Sequence, residues 1–138
     1  MASNIAIFDT SVYINHLRTG CHQAQLDSFS GLIRNSAVVL AELWRGASKP
    51  AERDFLSQLG QNHPILVPTT HHWLESGQIL SRLSRDHGFS AQKLRDLHFD
   101  VLIALTARSC GGRVVTSNRH DFELILKYRK FNLEVWDC

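Results

Sequence analysis

Four acidic residues stand next to short apolar runs that are spread along the chain: Asp9, Glu42, Asp100 and Asp121. Carboxylates that gather in one place repel one another and raise one another's pKa values. A hard divalent cation such as Mg²⁺ or Mn²⁺ relieves that repulsion, because it prefers carboxylate and water oxygens as ligands. Such an ion can activate a water molecule and stabilise the leaving oxygen when a phosphodiester is cleaved. If the fold brings the four acids together, metal-assisted hydrolysis is the chemistry that they would serve.

The elements that must position these acids follow from the hydrophobic pattern, in which short apolar runs alternate with segments of helical period. The predicted strands are residues 4–8, 36–40, 65–67, 113–116 and 133–136. The predicted helices are residues 12–20, 23–33, 50–60, 70–88, 90–97, 99–109 and 121–128, with a further short helix after Glu42 through residues 44–47. Strands that alternate with helices indicate a mostly parallel sheet of four to five strands with helices on both faces. The sequence therefore predicts an α/β fold, a three-layer α/β/α domain over residues 1–138.

The four acids fall where a parallel sheet would bring them to one edge, since ligands bind beyond the carboxyl ends of such strands. Asp9 directly follows the first predicted strand, Glu42 closely follows the second, and Asp121 lies just beyond the fourth. Asp100 heads an otherwise apolar helix, where a carboxylate is expensive to desolvate unless a cation or strong donors compensate it. Each acid alone also fits a simpler role, as a helix cap, a helix-start charge or an exposed helix acid. Their convergence on one edge favours a metal site.

Length and composition restrict the classes of protein to consider. The 138 residues fit one domain, and a hydrophobic content of 43% suits a packed core. The three cysteines are odd in number and form no CxxC pair, which indicates a reducing cytosol, no disulfide framework and no zinc site. Neither a signal peptide nor an apolar run of the ~18 residues that a membrane span needs is present. We therefore expect a cytoplasmic protein without a membrane partner.

The segments around the four acids resemble, in order, the four motifs of PIN-domain nucleases. Residues 5–11, Ile-Ala-Ile-Phe-Asp-Thr-Ser, resemble the opening motif, and residues 38–43, Val-Val-Leu-Ala-Glu-Leu, resemble the second. Residues 99–107, Phe-Asp-Val-Leu-Ile-Ala-Leu-Thr-Ala, resemble the third, and residues 114–122, Val-Val-Thr-Ser-Asn-Arg-His-Asp-Phe, resemble the fourth. The match covers nearly the whole chain. Its length is similar to that of single-domain bacterial toxins of the VapC type, from type II toxin–antitoxin systems.

This resemblance implies an endoribonuclease whose Mg²⁺ or Mn²⁺ is held by Asp9, Glu42, Asp100 and Asp121. It also implies a homodimer that cuts RNA and is held inactive by a small antitoxin protein. A groove between the predicted helices 23–33 and 50–60 would suit an antitoxin helix. Ser11, Thr116 and Asn118 would orient the carboxylates and metal-bound water. Many relatives carry an acid where this chain has Asn118, which leaves open whether one or two ions bind.

Three further charged residues lie close to these motifs. Asp96 precedes Asp100 by about one helical turn, so it could serve as an outer ligand. Arg45 follows Glu42 by three residues and could hold a substrate phosphate or an antitoxin carboxylate. Arg119 lies within the fourth motif, on the expected rim of the site, where it could contact the scissile phosphate or the antitoxin.

Other classes of protein fit the residues less well. A haloacid-dehalogenase-like phosphatase needs a second acid two residues after the first, where this chain has Ser11. A receiver-like signalling domain needs an aspartate at the end of its third strand, where this chain has Pro68. A PIN-like fold that has lost its activity and acts only as a protein-binding module stays open.

Overall fold

A sheet of five parallel strands organises the chain in the computed structural model, which describes residues 4–138. The strands are β1 (Ile5–Phe8), β2 (Leu32–Ser36), β3 (Ile65–Leu66), β4 (Arg113–Thr116) and β5 (Asn132–Val135). They lie in the order β3-β2-β1-β4-β5, and every neighbouring pair is parallel. The apolar residues of β1 and β4 are largely buried, as expected for strands that are covered on both faces.

Helices connect and cover these strands. They are α1 (Thr10–Thr19), α2 (Gln23–Ser28), α3 (Ala37–Gly46), α4 (Pro50–Asn62), α5 (Thr70–His87), α6 (Ala91–Ser109) and α7 (Arg119–Leu126). The second half of α6 belongs to the core, since residues 101–107 are all buried. None of the helices in residues 4–138 has the length and apolar character that crossing a membrane requires. The predicted three-layer α/β/α fold with a mostly parallel sheet is confirmed.

The order of the strands reverses between β1 and β4. The chain steps from β1 to β2 and β3 on one side, and then crosses back to place β4 and β5 on the other side of β1. Because crossovers between parallel strands are right-handed, the helices of the two halves lie on opposite faces of the sheet. At the reversal the backbone N–H of Asp9 donates to the carbonyl of Val115 at 2.9 Å. Parallel sheets bind ligands at such a reversal point.

Side-chain caps fix where several helices begin. The Ser36 hydroxyl accepts from the backbone N–H groups of Val38 and Val39 at 3.2 and 3.4 Å, and it thereby starts α3. Thr69 and Ser90 cap α5 and α6 in the same way, as the sequence predicts. These caps satisfy backbone donors that the first turn of a helix leaves unpaired.

Three predicted elements have wrong bounds. The helix predicted over residues 23–33 ends at Ser28, because Leu32 and Ile33 already belong to β2. The other two corrections move a candidate ligand. The second strand is residues 32–36 instead of 36–40, because the cap at Ser36 turns the following valines into α3. Glu42 therefore lies in the second turn of α3, which begins at Ala37, instead of closely following a strand at the start of a short helix. The predicted helices 90–97 and 99–109 are one helix, α6, so Asp100 lies inside it and not at its start. A favourable helix-start charge thus no longer explains Asp100.

Two of the cysteines form a disulfide, so the expectation that none would is wrong. Cys21, in the turn between α1 and α2, is bonded to Cys138, and their Cα atoms are 5.6 Å apart. The two residues are 117 positions apart in the chain, so no local spacing motif could reveal the pair. Cys110 is a free thiol.

Candidate functional site

A cleft of about 680 Å³ opens where β1 and β4 end. All four acids that the sequence singles out line it: Asp9, Glu42, Asp100 and Asp121. The first directly follows β1, the second and third lie on α3 and α6, and the last lies in the first turn of α7. The fold therefore brings together four carboxylates from four separate parts of the chain.

Asp9 is the most buried of the four acids, with 3% of its surface exposed. The hydroxyl groups of Ser11 and Thr116 donate to its Oδ2 at 2.8 and 2.9 Å. Burial raises the pKa of Asp9, whereas these hydrogen bonds and those from backbone N–H groups act to lower it. The carboxyl group is thus desolvated but held in one orientation, as expected for a ligand that is positioned before it binds.

A network of hydroxyl groups ties Asp9 to the segment after β4. The Ser11 hydroxyl accepts from the backbone N–H of Ser117 at 3.0 Å, and the Thr116 hydroxyl accepts from that of Asn118 at 2.9 Å. Each hydroxyl therefore donates its proton to Asp9 and uses a lone pair for a backbone donor. The network fixes the ends of β1 and β4 relative to each other at the floor of the cleft.

Glu42 is held by the residue that follows Asp9. The Thr10 hydroxyl donates to Glu42 Oε1 at 2.9 Å. Burial raises the pKa of Glu42, the hydrogen bond from Thr10 lowers it, and the nearby charge of Asp9 raises it again. The positive charge of Arg45, nearly one turn further along α3, acts to lower the pKa of Glu42. Glu42 and Asp9 are therefore close enough for each to disfavour the charge of the other.

Asp100 lies in the repulsive field of the other three acids of the cleft. Burial, followed by the charges of Asp9, Asp121 and Glu42, raises the pKa of Asp100 to about 9, and Lys93 acts in the opposite direction. At neutral pH this carboxyl group keeps its proton unless a cation takes the place of that proton. Asp100 is thus a carboxyl group whose surroundings favour a bound cation.

Asp121 is already paired with a cation of the chain itself. Lys93 Nζ lies 2.9 Å from Asp121 Oδ1, and the side-chain amide of Asn118 donates to Oδ2 at 3.1 Å. Burial acts to raise the pKa of Asp121, but the contacts with Lys93 and Asn118 outweigh it, and the pKa is lowered overall. A metal ion that binds Asp121 would therefore compete with Lys93 for this carboxylate.

The remaining predicted residues lie at different distances from the cleft. Asp96 and Arg45 both line it, and Asp96 is exposed at its outer part. Arg119 does not line it and instead forms ion pairs with Glu123 and Asp137, at 3.2 and 3.1 Å. The structure therefore groups Asp96 and Arg45 with the four acids and places Arg119 outside them.

Sequence reasoning missed two residues that contact the acids, Thr10 and Lys93. Thr10 lies inside the first motif, and its hydroxyl group could have been recognised there as a hydrogen-bond donor for one of the acids. Lys93 precedes Asp100 by seven residues, which is about two turns of a continuous helix. The spacing could have revealed Lys93 only if α6 had been predicted as one helix. Arg95, on the same helix, also lines the cleft.

The donor set fits a hard divalent cation. The four carboxylates offer only oxygen ligands, which Mg²⁺ and Mn²⁺ prefer, and mutual repulsion contributes to the raised pKa values of Glu42 and Asp100. Within residues 4–138, no three of these carboxylates have oxygen atoms that all lie within 4.8 Å of one another. An ion held by three of them at once would have to draw the side chains closer together.

Comparison with known proteins identifies relatives of this chain. The PIN domain family matches residues 6–125. A chain from the structure of DNA-bound VapBC from Salmonella typhimurium has a TM-score of 0.73 and 23% identity, with 99% of both chains covered. A chain from VapBC2 of Rickettsia felis, bound to a DNA fragment from its promoter, has a TM-score of 0.70 and 20% identity, with 96% of this chain and 99% of that chain covered.

A third structure comes from Mycobacterium tuberculosis. A chain from VapBC-5, a member of the VapBC family of toxin–antitoxin systems, has a TM-score of 0.61 and 20% identity, with 98% of this chain and 99% of that chain covered. At such identities the structural likeness shows a shared fold. No curated protein sequence matches this chain significantly.

Proposed function

This chain belongs to the PIN domain family, a family of nucleases, and from that premise we propose that it is a metal-dependent endoribonuclease. We propose further that it is the VapC-type toxin of a toxin–antitoxin pair, acting in the cytoplasm where its RNA substrate is found. The observation that carries the proposal is the single cleft shared by Asp9, Glu42, Asp100 and Asp121. RNA is the substrate that the resemblance of the four motifs implies.

The proposed mechanism assigns the four acids to Mg²⁺ or Mn²⁺. The bound ion would supply a Lewis acid at the phosphate and an activated water molecule as the nucleophile. Ser11 and Thr116 hold Asp9 Oδ2 in a fixed direction, and Thr10 does the same for Glu42. Asp100 would have to release its proton in order to act as a ligand, so metal binding and proton release are linked.

Positive side chains beside the acids would bind the RNA backbone. Arg45 and Arg95 line the cleft, and Lys93 lies beside Asp121. Arginine side chains suit phosphate oxygens because they can donate two parallel hydrogen bonds. Contacts of this kind are independent of base sequence and would hold the scissile phosphate against the carboxylates.

Cleavage of a mixed RNA pool by the purified protein tests the proposal. We expect cleavage with Mg²⁺ or Mn²⁺, none with EDTA, and none by Asp9→Asn with either ion. Asp54→Asn is the matched control, because Asp54 is an exposed acid on α4 that does not line the cleft. A single-stranded DNA pool in parallel reports on the choice of substrate. Equal traces of cleavage by wild type and Asp9→Asn would contradict nuclease activity and favour an inactive, partner-binding PIN fold.

A second groove, next to the cleft, offers a site for the antitoxin. It is lined by apolar residues of α1, α3 and α4, namely Ile14, Leu17, Leu43 and Leu56, and it shares Glu42 with the cleft. Because the similar structures are VapBC complexes, we propose that an amphipathic antitoxin segment binds here and blocks access to the acids. This groove differs from the one predicted between helices 23–33 and 50–60, because α2 ends at Ser28.

The Leu17→Glu variant tests this groove, because Leu17 lines it but does not line the cleft. The variant should no longer co-purify with a co-expressed antitoxin, but it should still cleave RNA.

An exposed apolar surface supports the proposed homodimer. Val67, Trp73 and Phe99 line one apolar hollow, although 65%, 47% and 37% of their surfaces are exposed. Single exposed apolar side chains are normal, but a contiguous group of large ones marks an interaction surface. We propose that a second copy of the chain covers this hollow.

A further inference from the structure

A shallow groove of about 510 Å³ lies between α5 and α6, beside the carboxylate cleft. Arg95 and His98 line both the groove and the cleft, so the two are continuous. The helices run antiparallel, because they are joined by residues 88–90 and the Ser76 hydroxyl, in the first half of α5, lies 3.0 Å from His98 Nε2. The groove therefore runs from the cleft, at His98, towards the turn that joins the two helices, near Arg85.

The groove and the cleft differ in charge. Acids predominate in the cleft, whereas Arg85 and Arg95 are the charged residues that line the groove in the described part of the chain. Both arginines are exposed, and neither belongs to an ion pair within residues 4–138. Asp86 and Asp96 follow them in the sequence, but neither lines the groove, and each accepts a hydrogen bond from another side chain. The groove is therefore a basic path that leads to an acidic cleft.

One face of α5 adds further hydrogen-bond donors to the groove. The residues of α5 that carry this argument follow helical spacing: Gly77, Ser81, Ser84 and Arg85. The helix rises about 12 Å from the first to the last of them. Gly77 has open space where a Cβ would stand, so the groove is not obstructed there. Hydroxyl and guanidinium groups are donors that proteins use to contact phosphate oxygens, and here they form one line along the groove.

We propose that this groove holds the backbone of a single-stranded RNA next to the carboxylate cleft, with Arg85 and Arg95 contacting separate phosphates. This inference rests on the proposed nuclease function, because it extends the substrate site of that cleft. The acids of the cleft repel phosphates, so positive groups outside them must supply much of the attraction for a polyanion. A single line of donors fits one strand. Contacts to its backbone would not depend on base sequence.

Fluorescence anisotropy of a labelled single-stranded RNA with the full chain in EDTA tests the proposal, since no cleavage is expected without a metal ion. Arg85→Gln should weaken RNA binding several-fold. It should also reduce the slope of log Kd against log salt concentration by about 0.7, the value for one phosphate contact with a single strand. Arg85→Lys should keep the wild-type slope, because it keeps the positive charge. Loss of packing alone would not change the salt dependence in this way.

Arg53→Gln is the matched control, because Arg53 is an exposed arginine on α4 that lines neither the cleft nor the groove. Its affinity for RNA and its salt dependence should stay close to those of the wild type. Arg85 is also exposed, so the variants at both positions are expected to fold. A labelled RNA duplex, measured in parallel, should bind more weakly than the single strand.

The outcomes separate the groove from the nuclease. Arg85→Gln with wild-type affinity and slope would overturn the groove, even if the wild type cleaves RNA with Mg²⁺ or Mn²⁺. A wild type that binds RNA through Arg85 but cleaves none with either ion would support the groove and contradict the nuclease. A wild type that does not bind RNA would overturn the groove as well. Loss of a co-expressed antitoxin from Arg85→Gln, with RNA binding unchanged, would assign the groove to a protein partner instead.

Discussion

Replacing Asp100 with asparagine tests the electrostatics of the cleft directly. The pKa of Asp100 is about 9 in the folded protein, against an ordinary value of 3.8. Because the folded-state pKa is raised, ionisation of this group in the unfolded chain favours unfolding at every pH above about 4. The free energy of unfolding therefore falls by about 1.4 kcal/mol per pH unit between about pH 4 and pH 9. This destabilisation is absent below the pKa that Asp100 has in the unfolded chain, and it is complete above the pKa that Asp100 has in the folded protein.

Asparagine resembles the protonated carboxyl group but does not ionise in the unfolded chain. At pH 7, about three units above the ordinary pKa, Asp100→Asn should be more stable than the metal-free wild type by up to about 4 kcal/mol. Water entering the open cleft reduces the effect, so we expect about 2–4 kcal/mol. For a chain of this length, that corresponds to a rise in Tm of roughly 6–12 °C.

The assay is urea denaturation of both proteins in EDTA at pH 4 and pH 7, with tryptophan fluorescence as the signal that reports unfolding. The two free energies of unfolding should coincide at pH 4 and separate at pH 7, whereas the exposed Asp54→Asn should match the wild type at both. Added Mg²⁺ should stabilise the wild type and have little effect on Asp100→Asn. A variant that is equally stable, or less stable, at pH 7 would show that Asp100 is not held protonated by its neighbours.

Three other substitutions test separate contacts of the site. Lys93→Met should tighten Mn²⁺ binding several-fold in calorimetry, because Lys93 competes with the ion for Asp121; unchanged affinity would contradict that competition. Thr116→Val should lower the free energy of unfolding by about 2 kcal/mol in urea, since it removes one of the two hydroxyl donors to Asp9 Oδ2 and leaves the backbone N–H of Asn118 without its acceptor, while Thr116→Ser should keep most of the wild-type stability. Trp73→Glu should shift the protein from dimer to monomer in sedimentation experiments; a wild type that is already monomeric would refute the proposed interface.

The sequence was sufficient to predict which acids share the cleft, because parallel strands deliver their following residues to one edge. It was not sufficient to predict how Glu42 and Asp100 reach that edge. The run Val38 to Leu40 has the composition of a buried strand, and only the cap at Ser36 turns it into a helix. The hydrogen bonds that Ser36 accepts at the start of α3 therefore outweigh the β-propensity of the residues that follow.

The misprediction around Asp100 has a different origin. The first half of α6 is largely polar and the second half is buried, so the change in composition suggested two segments. Nothing in the chain breaks the helix between them, and the polar half includes Lys93, which reaches Asp121. The pairing of Cys21 with Cys138 was beyond local reasoning, because the two residues meet only once β5 joins the sheet.

The hydrogen bond between Thr116 and Asp9, which spans 107 positions, has a consequence for the timing of synthesis. A growing chain that has emerged only as far as α5 already contains Asp9 and Glu42, but it lacks Asp100, the hydroxyl of Thr116, and α7 with Asp121. The proposed nuclease site is therefore incomplete until nearly all of the chain has left the exit tunnel of the ribosome. A partner that binds the finished fold then has a defined moment at which to act, close to the release of the chain.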